Sequence, residues 1–144
     1  MSVSKREEEY IELMYRLYSD KGVIRIKDIA ARLNVKPPSV VEYLDKLARK
    51  GYIRYEKGEV IRLTEEGMRI GREVYERHKA LRDFLKILLG LPEEIADEDA
   101  CYIEHGVHQE TIERIKLFVE FVKSNPGSLP DWFKYLRERL KASE

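Results

Sequence analysis

Apolar residues recur at helical intervals from the start of the chain. Tyr10, Leu13, Met14, Leu17 and Tyr18 fall on one side of a segment from about Ser4 to Ser19, with Glu9, Glu12 and Arg16 on a narrow polar side and Gly22 beyond it. This predicts a first helix. In IKDIAARLNV, Ile29, Ala30 and Leu33 mark a short second helix, and Asn34, Val35 and Lys36 read as a turn. Pro37 and Pro38 suit only the opening of a helix, because neither carries an N–H and both hold φ near the helical value. A third helix is therefore expected from near Pro38 to Lys50, burying Val40, Leu44 and Leu47 and stopping at Gly51.

The period then changes. YIRYEKGEVIRL alternates as two short strands around Lys57 and Gly58, a hairpin with basic Arg54, Lys57 and Arg62. Thr64 is expected to cap a long fourth helix, with Glu65 and Glu66 where the helix dipole favours negative charge. Gly90, Leu91 and Pro92 break that helix after about Leu89. A fifth helix, strongly acidic, is expected from Pro92 to His105, with Gly106 ending it. A sixth carries the stripe Ile112, Ile115, Val119 and Val122; SNPGSLP interrupts, and Trp132, Phe133, Leu136 and Leu140 make a last amphipathic helix. The fold class is thus mainly α, with an N-terminal winged helix-turn-helix over residues 1–64 and a helical domain over residues 65–144.

At 144 residues, 43% of them hydrophobic and 38% charged, the chain can bury one real core or two small ones, and disorder is not expected. No stretch approaches the roughly 18 consecutive apolar residues of a membrane span. The first twenty residues are too acidic and too regularly amphipathic for a signal peptide, so the cytoplasm is the expected location. A single cysteine rules out an internal disulfide, leaving Cys101 as a small buried hydrophobe or a working thiolate. The net charge of zero conceals a segregation. Residues 21–64 hold eleven Lys and Arg against five Asp and Glu, a net of +6, whereas residues 93–113 hold eight acids and no Lys or Arg. One half is suited to an anionic polymer and the other to cations.

In the basic half, the Pro-opened helix has the features of a recognition helix lying in a major groove of double-stranded DNA. Pro38, Ser39, Glu42, Tyr43 and Lys46 would lie along its exposed side, where Ser39 can donate or accept and Glu42 can accept from a cytosine amino group. Lys36, Lys46, Arg49, Lys50 and the wing's Lys57 would meet phosphates, fixing register without reading sequence. The same elements could serve only as a packing module, against which the +6 charge argues.

The acidic half carries C-x-x-E-H. Cys101, Glu104 and His105 stand at i, i+3 and i+4, so a helix turns three metal-ligand types to one side. Glu9 and Glu12 share a spacing of three on the first helix. His78 interrupts the stripe Val74, Leu81, Leu85 and Leu88 of the fourth helix, where it is either a hydrogen-bonded core residue or a ligand.

Taken in order, the EEEYIE helix, KPPSV, the ERHKALRDFL helix and DACYIEH closely resemble the diphtheria toxin repressor family of metal-dependent transcription factors, over nearly the whole chain. The resemblance implies a winged helix-turn-helix followed by a metal-binding and dimerisation domain, in the two-domain form without an SH3-like third domain. It places a primary site on Glu9, Cys101, Glu104 and His105, and a second on Glu12 and His78 with Glu104 bridging. Glu9 and Glu12 are what the manganese branch favours, whereas Cys101 is the iron branch's ligand, so Fe(II) or Mn(II) is expected, with Zn(II) and Co(II) as surrogates. Arg82 and Asp97 stand where longer members place ancillary ligands, and no ancillary site is expected. The function implied is that of a homodimeric repressor that binds operator DNA when loaded with metal, the metal joining the first helix to the fourth and fifth. The alternatives are a winged-helix regulator answering to a small organic ligand or a partner protein, and a small metallohydrolase. The chain offers no nucleophile with an oriented base and no phosphate loop, so an enzyme is not expected.

Overall fold

The computed structural model describes residues 3–56 and 60–143. Its elements run α1 (Lys5–Lys21), α2 (Ile26–Leu33), α3 (Pro37–Arg49), β1 (Ile53–Arg54), β2 (Arg62–Leu63), α4 (Glu65–Leu89), α5 (Glu93–Ile103), α6 (Gln109–Ser124), a 3-10 turn at Pro126–Ser128 and α7 (Asp131–Ala142). The chain divides into two compact units, Met1–Tyr75 and Glu76–Glu144, with α4 running through the division.

Each end of the N-terminal elements has a local cause. Ser4 accepts from the Glu7 N–H while Glu7 receives the Ser4 N–H, a reciprocal capping box that starts α1, and Gly22 at φ 73° ends it. Asn34, at φ 54°, lets the chain leave α2 in a left-handed turn, and α3 then opens on Pro37, one residue before the expected position. Ile11, Met14, Ile29, Val40, Leu44 and Leu47 have almost no exposed surface and join Tyr10, Leu17 and Ile53 in one core. Burial of each such aliphatic side chain contributes about 1.5–3 kcal/mol. The strands pair antiparallel, Ile53 opposite Leu63 and Arg54 opposite Arg62. Lys57, at the tip of the expected wing, lies outside the described residues.

Thr64 ties this hairpin to α4. Its hydroxyl accepts the Gly67 N–H at 3.1 Å and donates to the Gly51 carbonyl at 2.7 Å. Two glycines allow α4 to come close: a Cβ on Gly67 would collide with the Tyr52 carbonyl, and one on Gly71 would lie 2.6 Å from the Tyr15 Cβ of α1.

In the C-terminal unit, Leu81, Ala100 and Ile112 form a small core from α4, α5 and α6, with Val107 and Ile115 packed against it. A salt bridge from Lys123 to Asp83 at 2.9 Å and an edge contact between Phe84 and Phe118 fix α6 on α4. The fifth helix is shorter than expected. It ends at Ile103 because the chain tightens there, the Gly106 N–H reaching the Ile103 carbonyl at 3.0 Å. Glu104 keeps helical dihedrals, φ −57° and ψ −25°, so its side chain still follows Cys101 around the axis. Among the described residues no helix is long and apolar enough to cross a membrane.

Gly67→Ala separates helix propensity from packing. Propensity alone would stabilise α4 by about 1 kcal/mol. Collision with the Tyr52 carbonyl, which also accepts the Thr64 N–H at 3.1 Å, should reverse the sign, for a net loss of about 1–3 kcal/mol in urea unfolding followed by circular dichroism. A raised unfolding midpoint would show that the approach is not tight.

Candidate metal centre and DNA-facing helix

The burial of Val40, Leu44 and Leu47 rolls the opposite side of α3 outward. Lys36, Pro38, Ser39, Glu42, Lys46 and Arg49 are all exposed, so the residues expected to meet DNA form one accessible surface. Two residues of the expected set are also engaged inside the unit. Tyr43 is half-buried and stacks on Tyr10 of α1, ring centroids 4.2 Å apart and planes 15° from parallel. Arg6 lies over the Tyr10 ring at 5.3 Å and Lys46 over that of Tyr43 at 5.2 Å, so the stack is capped by a cation at each end. Lys50 reaches back to α1, its Nζ 2.8 Å from Glu7 Oε2.

Sequence reasoning missed Glu7 as a buried group, since it precedes the apolar stripe; only 2% of it is exposed. Burial pushes its carboxyl pKa up most strongly, but the Lys50 ammonium and the hydrogen bonds from Ser4 together bring it below the ordinary value. Its capping-box position and the basic end of α3 were the available signals. On the same helix, Glu9 pairs with Arg6 at 2.7 Å and stays partly exposed, whereas Glu12 is buried.

The C-terminal unit gathers a second set. His78 on α4 has no exposed surface. Its Nδ1 lies 2.9 Å from Glu104 Oε2 and 3.7 Å from Cys101 Sγ. Its Nε2 lies 2.6 Å from Asp97 Oδ1. Glu104 Oε1 is 3.2 Å from His105 Nε2. The Glu104 carbonyl, left without a helical partner at the end of α5, accepts from Arg77 at 2.8 Å. One nitrogen, one sulfur and one oxygen, from His78, Cys101 and Glu104, all lie within 4.8 Å of one another. His105 joins this neighbourhood through Glu104.

Asp97 is the residue that the sequence reading set aside. It lies four residues before Cys101, one turn earlier on the same face of α5, and that spacing was the signal. Burial is the largest influence on the His78 pKa and lowers it, but hydrogen bonds with Cys101, Glu104 and Asp97 outweigh it and raise the value to about 11. The imidazolium therefore stabilises this unit fully below the unfolded value near 6.5, and the contribution is lost as pH rises through about 11.

A winged helix-turn-helix followed by a helical unit with a nitrogen, sulfur and oxygen donor cluster is the architecture of a metal-dependent transcriptional regulator. Residues 2–61 match the family model described as the iron dependent repressor N-terminal DNA binding domain. Residues 64–133 match that of the iron dependent repressor metal binding and dimerisation domain. The chain belongs to the iron-dependent repressor family, the diphtheria toxin repressor family that its motifs resemble. An uncharacterised HTH-type transcriptional regulator of Methanocaldococcus jannaschii is 37% identical over 122 residues, 84% of this chain and 98% of that protein. The HTH-type transcriptional regulator MntR of Lysinibacillus sphaericus is 38% identical over 119 residues, 83% of this chain and 85% of MntR. The solved structure of the manganese regulator SloR superposes with a TM-score of 0.69 at 27% identity, covering 84% of this chain and 55% of SloR. The chain spans about half the length of such solved relatives.

With carboxylates against both ring nitrogens, His78 carries a proton that a ligated metal must replace. Apparent Zn(II) affinity should therefore climb from pH 6 to pH 8, about tenfold per unit for each proton displaced, and calorimetry in buffers of different ionisation enthalpy should count those protons. Affinity independent of pH would mean that neither His78 nor Cys101 coordinates.

Proposed function

We propose that this chain is a metal-dependent transcriptional repressor that binds operator DNA as a homodimer and controls genes of metal homeostasis. The observation that carries the reading is the convergence of His78, Cys101 and Glu104 ligand atoms within 4.8 Å, in the same chain as an exposed, Pro-opened recognition helix. The donor set fits a divalent transition metal: imidazole and thiolate suit the first-row ions, and a buried carboxylate supplies negative charge. Fe(II) or Mn(II) is the proposed co-repressor, with Zn(II) and Co(II) as surrogates.

His78, Cys101, Glu104 and His105 would hold the ion, with Glu9 and Glu12 of α1 as further ligands on the strength of the family resemblance. The bound cation would supply charge that neutralises the carboxylates. Glu9 would then have to leave Arg6, the cation that caps the Tyr10 and Tyr43 stack against the recognition helix. Whatever metal affinity differs between DNA-competent and incompetent arrangements is, by linkage, the amount by which DNA tightens metal binding. Lys36, Pro38, Ser39, Glu42, Lys46, Arg49 and Lys57 are the proposed DNA contacts, with Tyr43 and Lys50 chiefly holding α3 on α1. Residues 1–64 are taken as the DNA-binding domain and 65–144 as the metal-binding and dimerisation domain.

Leu117 and Phe121 of α6 and Trp132 and Tyr135 of α7 are exposed apolar side chains suited to a second copy. Two recognition helices would then meet successive major grooves about 34–36 Å apart. The role puts the protein in the cytoplasm with the DNA, and it requires no enzymatic activity.

Two measurements test this. Chelator should abolish footprinting on the protein's own promoter region, with Fe(II) or Mn(II) restoring it and the helical circular dichroism kept; affinity unchanged by chelator would favour a regulator of organic ligand or partner. Cys101→Glu should move preference from Fe(II) toward Mn(II) as the ligand hardens. An identical Fe(II) to Mn(II) affinity ratio in the two proteins would place Cys101 outside the coordination sphere.

A further inference from the structure

The acidic helix contributes one carboxylate that the donor set does not use. Asp97 and Cys101 of α5 and Glu104 at its C-cap occupy positions i, i+4 and i+7, so all three face the same way, yet Asp97 is not among the three residues whose ligand atoms converge. Its Oδ1 instead lies 2.6 Å from Nε2 of His78, the ring nitrogen other than the one that faces Cys101 and Glu104. From this geometry we propose that Asp97 is a positioning residue that fixes His78 as an Nδ1 ligand. The inference rests on the metal-binding reading above and deepens it.

A neutral imidazole has one N–H and one lone pair, and only the lone pair can bind a metal. A carboxylate on Nε2 keeps the hydrogen at that atom and leaves Nδ1 free to coordinate. It also stops the ring from turning about its Cβ–Cγ bond, which would carry both nitrogens away from Cys101 and Glu104. Glu104 and Cys101, by contrast, both address Nδ1, the atom to be bound. Asp97 is suited to the task because 43% of its side chain is exposed, so water can solvate the oxygen that His78 does not occupy. A histidine bound to metal through one nitrogen and to a carboxylate through the other is more basic and better oriented than a free one, and loss of such a partner typically weakens metal affinity about 10–100-fold.

The test compares full-length wild type with Asp97→Ala and Asp97→Asn, each stripped of metal and then titrated with Zn(II) against a chromophoric chelator. Asn keeps an amide oxygen able to accept the Nε2 hydrogen but lacks the charge. Asp97→Ala should bind about 10–100-fold more weakly, and Asp97→Asn should lie nearer to wild type. In the Zn(II)-loaded wild type, histidine-labelled nitrogen NMR should show hydrogen on His78 Nε2 and metal on Nδ1, and Asp97→Ala should broaden or shift that pattern. Equal losses in Ala and Asn would overturn the proposal, because Asp97 would then act only through its charge. Unchanged affinity in both variants, or coordination through Nε2, would overturn it as well. Failure of the underlying reading looks different: Cys101→Ala and Glu104→Ala would then bind Zn(II) as wild type does, and the role of Asp97 would fall with the site.

Discussion

His78 is a buried base in a helix whose neighbours at the same register are Val74 and Leu81, and burying such a group uncompensated would cost several kcal/mol. Asp97, Cys101 and Glu104 supply the compensation from α5 and its C-cap, so one polar constellation both adds to the apolar docking of α5 on α4 and gathers atoms of metal-ligand type. The apolar core of this unit is small, centred on Leu81, Ala100 and Ile112. Polar contacts therefore carry more of its specificity than they would in a larger domain. A group that stabilises the metal-free fold is at the same time a barrier to loading, since it must yield its proton.

The DNA-binding unit is built on different physics. Its core is a continuous aliphatic cluster, and its polar devices lie at the edges, where Ser4 and Glu7 start α1 and Thr64 joins the hairpin to α4. The buried Glu7 and the Tyr10 and Tyr43 stack join α1 to α3 from two sides. The helix bearing Glu9 and Glu12 and the proposed recognition helix are thus neighbours within one compact unit, so a change at the first has a short route to the second.

The helical elements were legible because apolar stripes and Pro or Gly boundaries are local signals, and Thr64, Gly22 and Gly51 acted as the spacing required. Less was readable where long-range contacts decide. Glu7 looks like any acid in a helix's first turn until Lys50 arrives from forty-three positions away to pair with it. The early end of α5 depends on a 3-10 closure at Gly106. The C-x-x-E-H spacing did point to Cys101 and Glu104, and the break in the α4 stripe pointed to His78. Asp97 was passed over because it stands where longer members of the family place an ancillary ligand, and a comparison of ligands hides a residue that acts by holding one.

With Glu9 as a ligand, as proposed above, its pairing with Arg6 would bear on the concentration at which such a regulator responds. A ligand that must first be released from a neighbouring cation binds metal less tightly than a free one would, and for a partly exposed pair of this kind the cost is up to about 1 kcal/mol. Among the described residues, Arg6 pairs with Glu9 and lies over the Tyr10 ring. Substitution there could retune the set-point for metal in a lineage while every coordinating residue stayed the same. Sensitivity and selectivity would then evolve separately, the first through Arg6 and the second through Cys101.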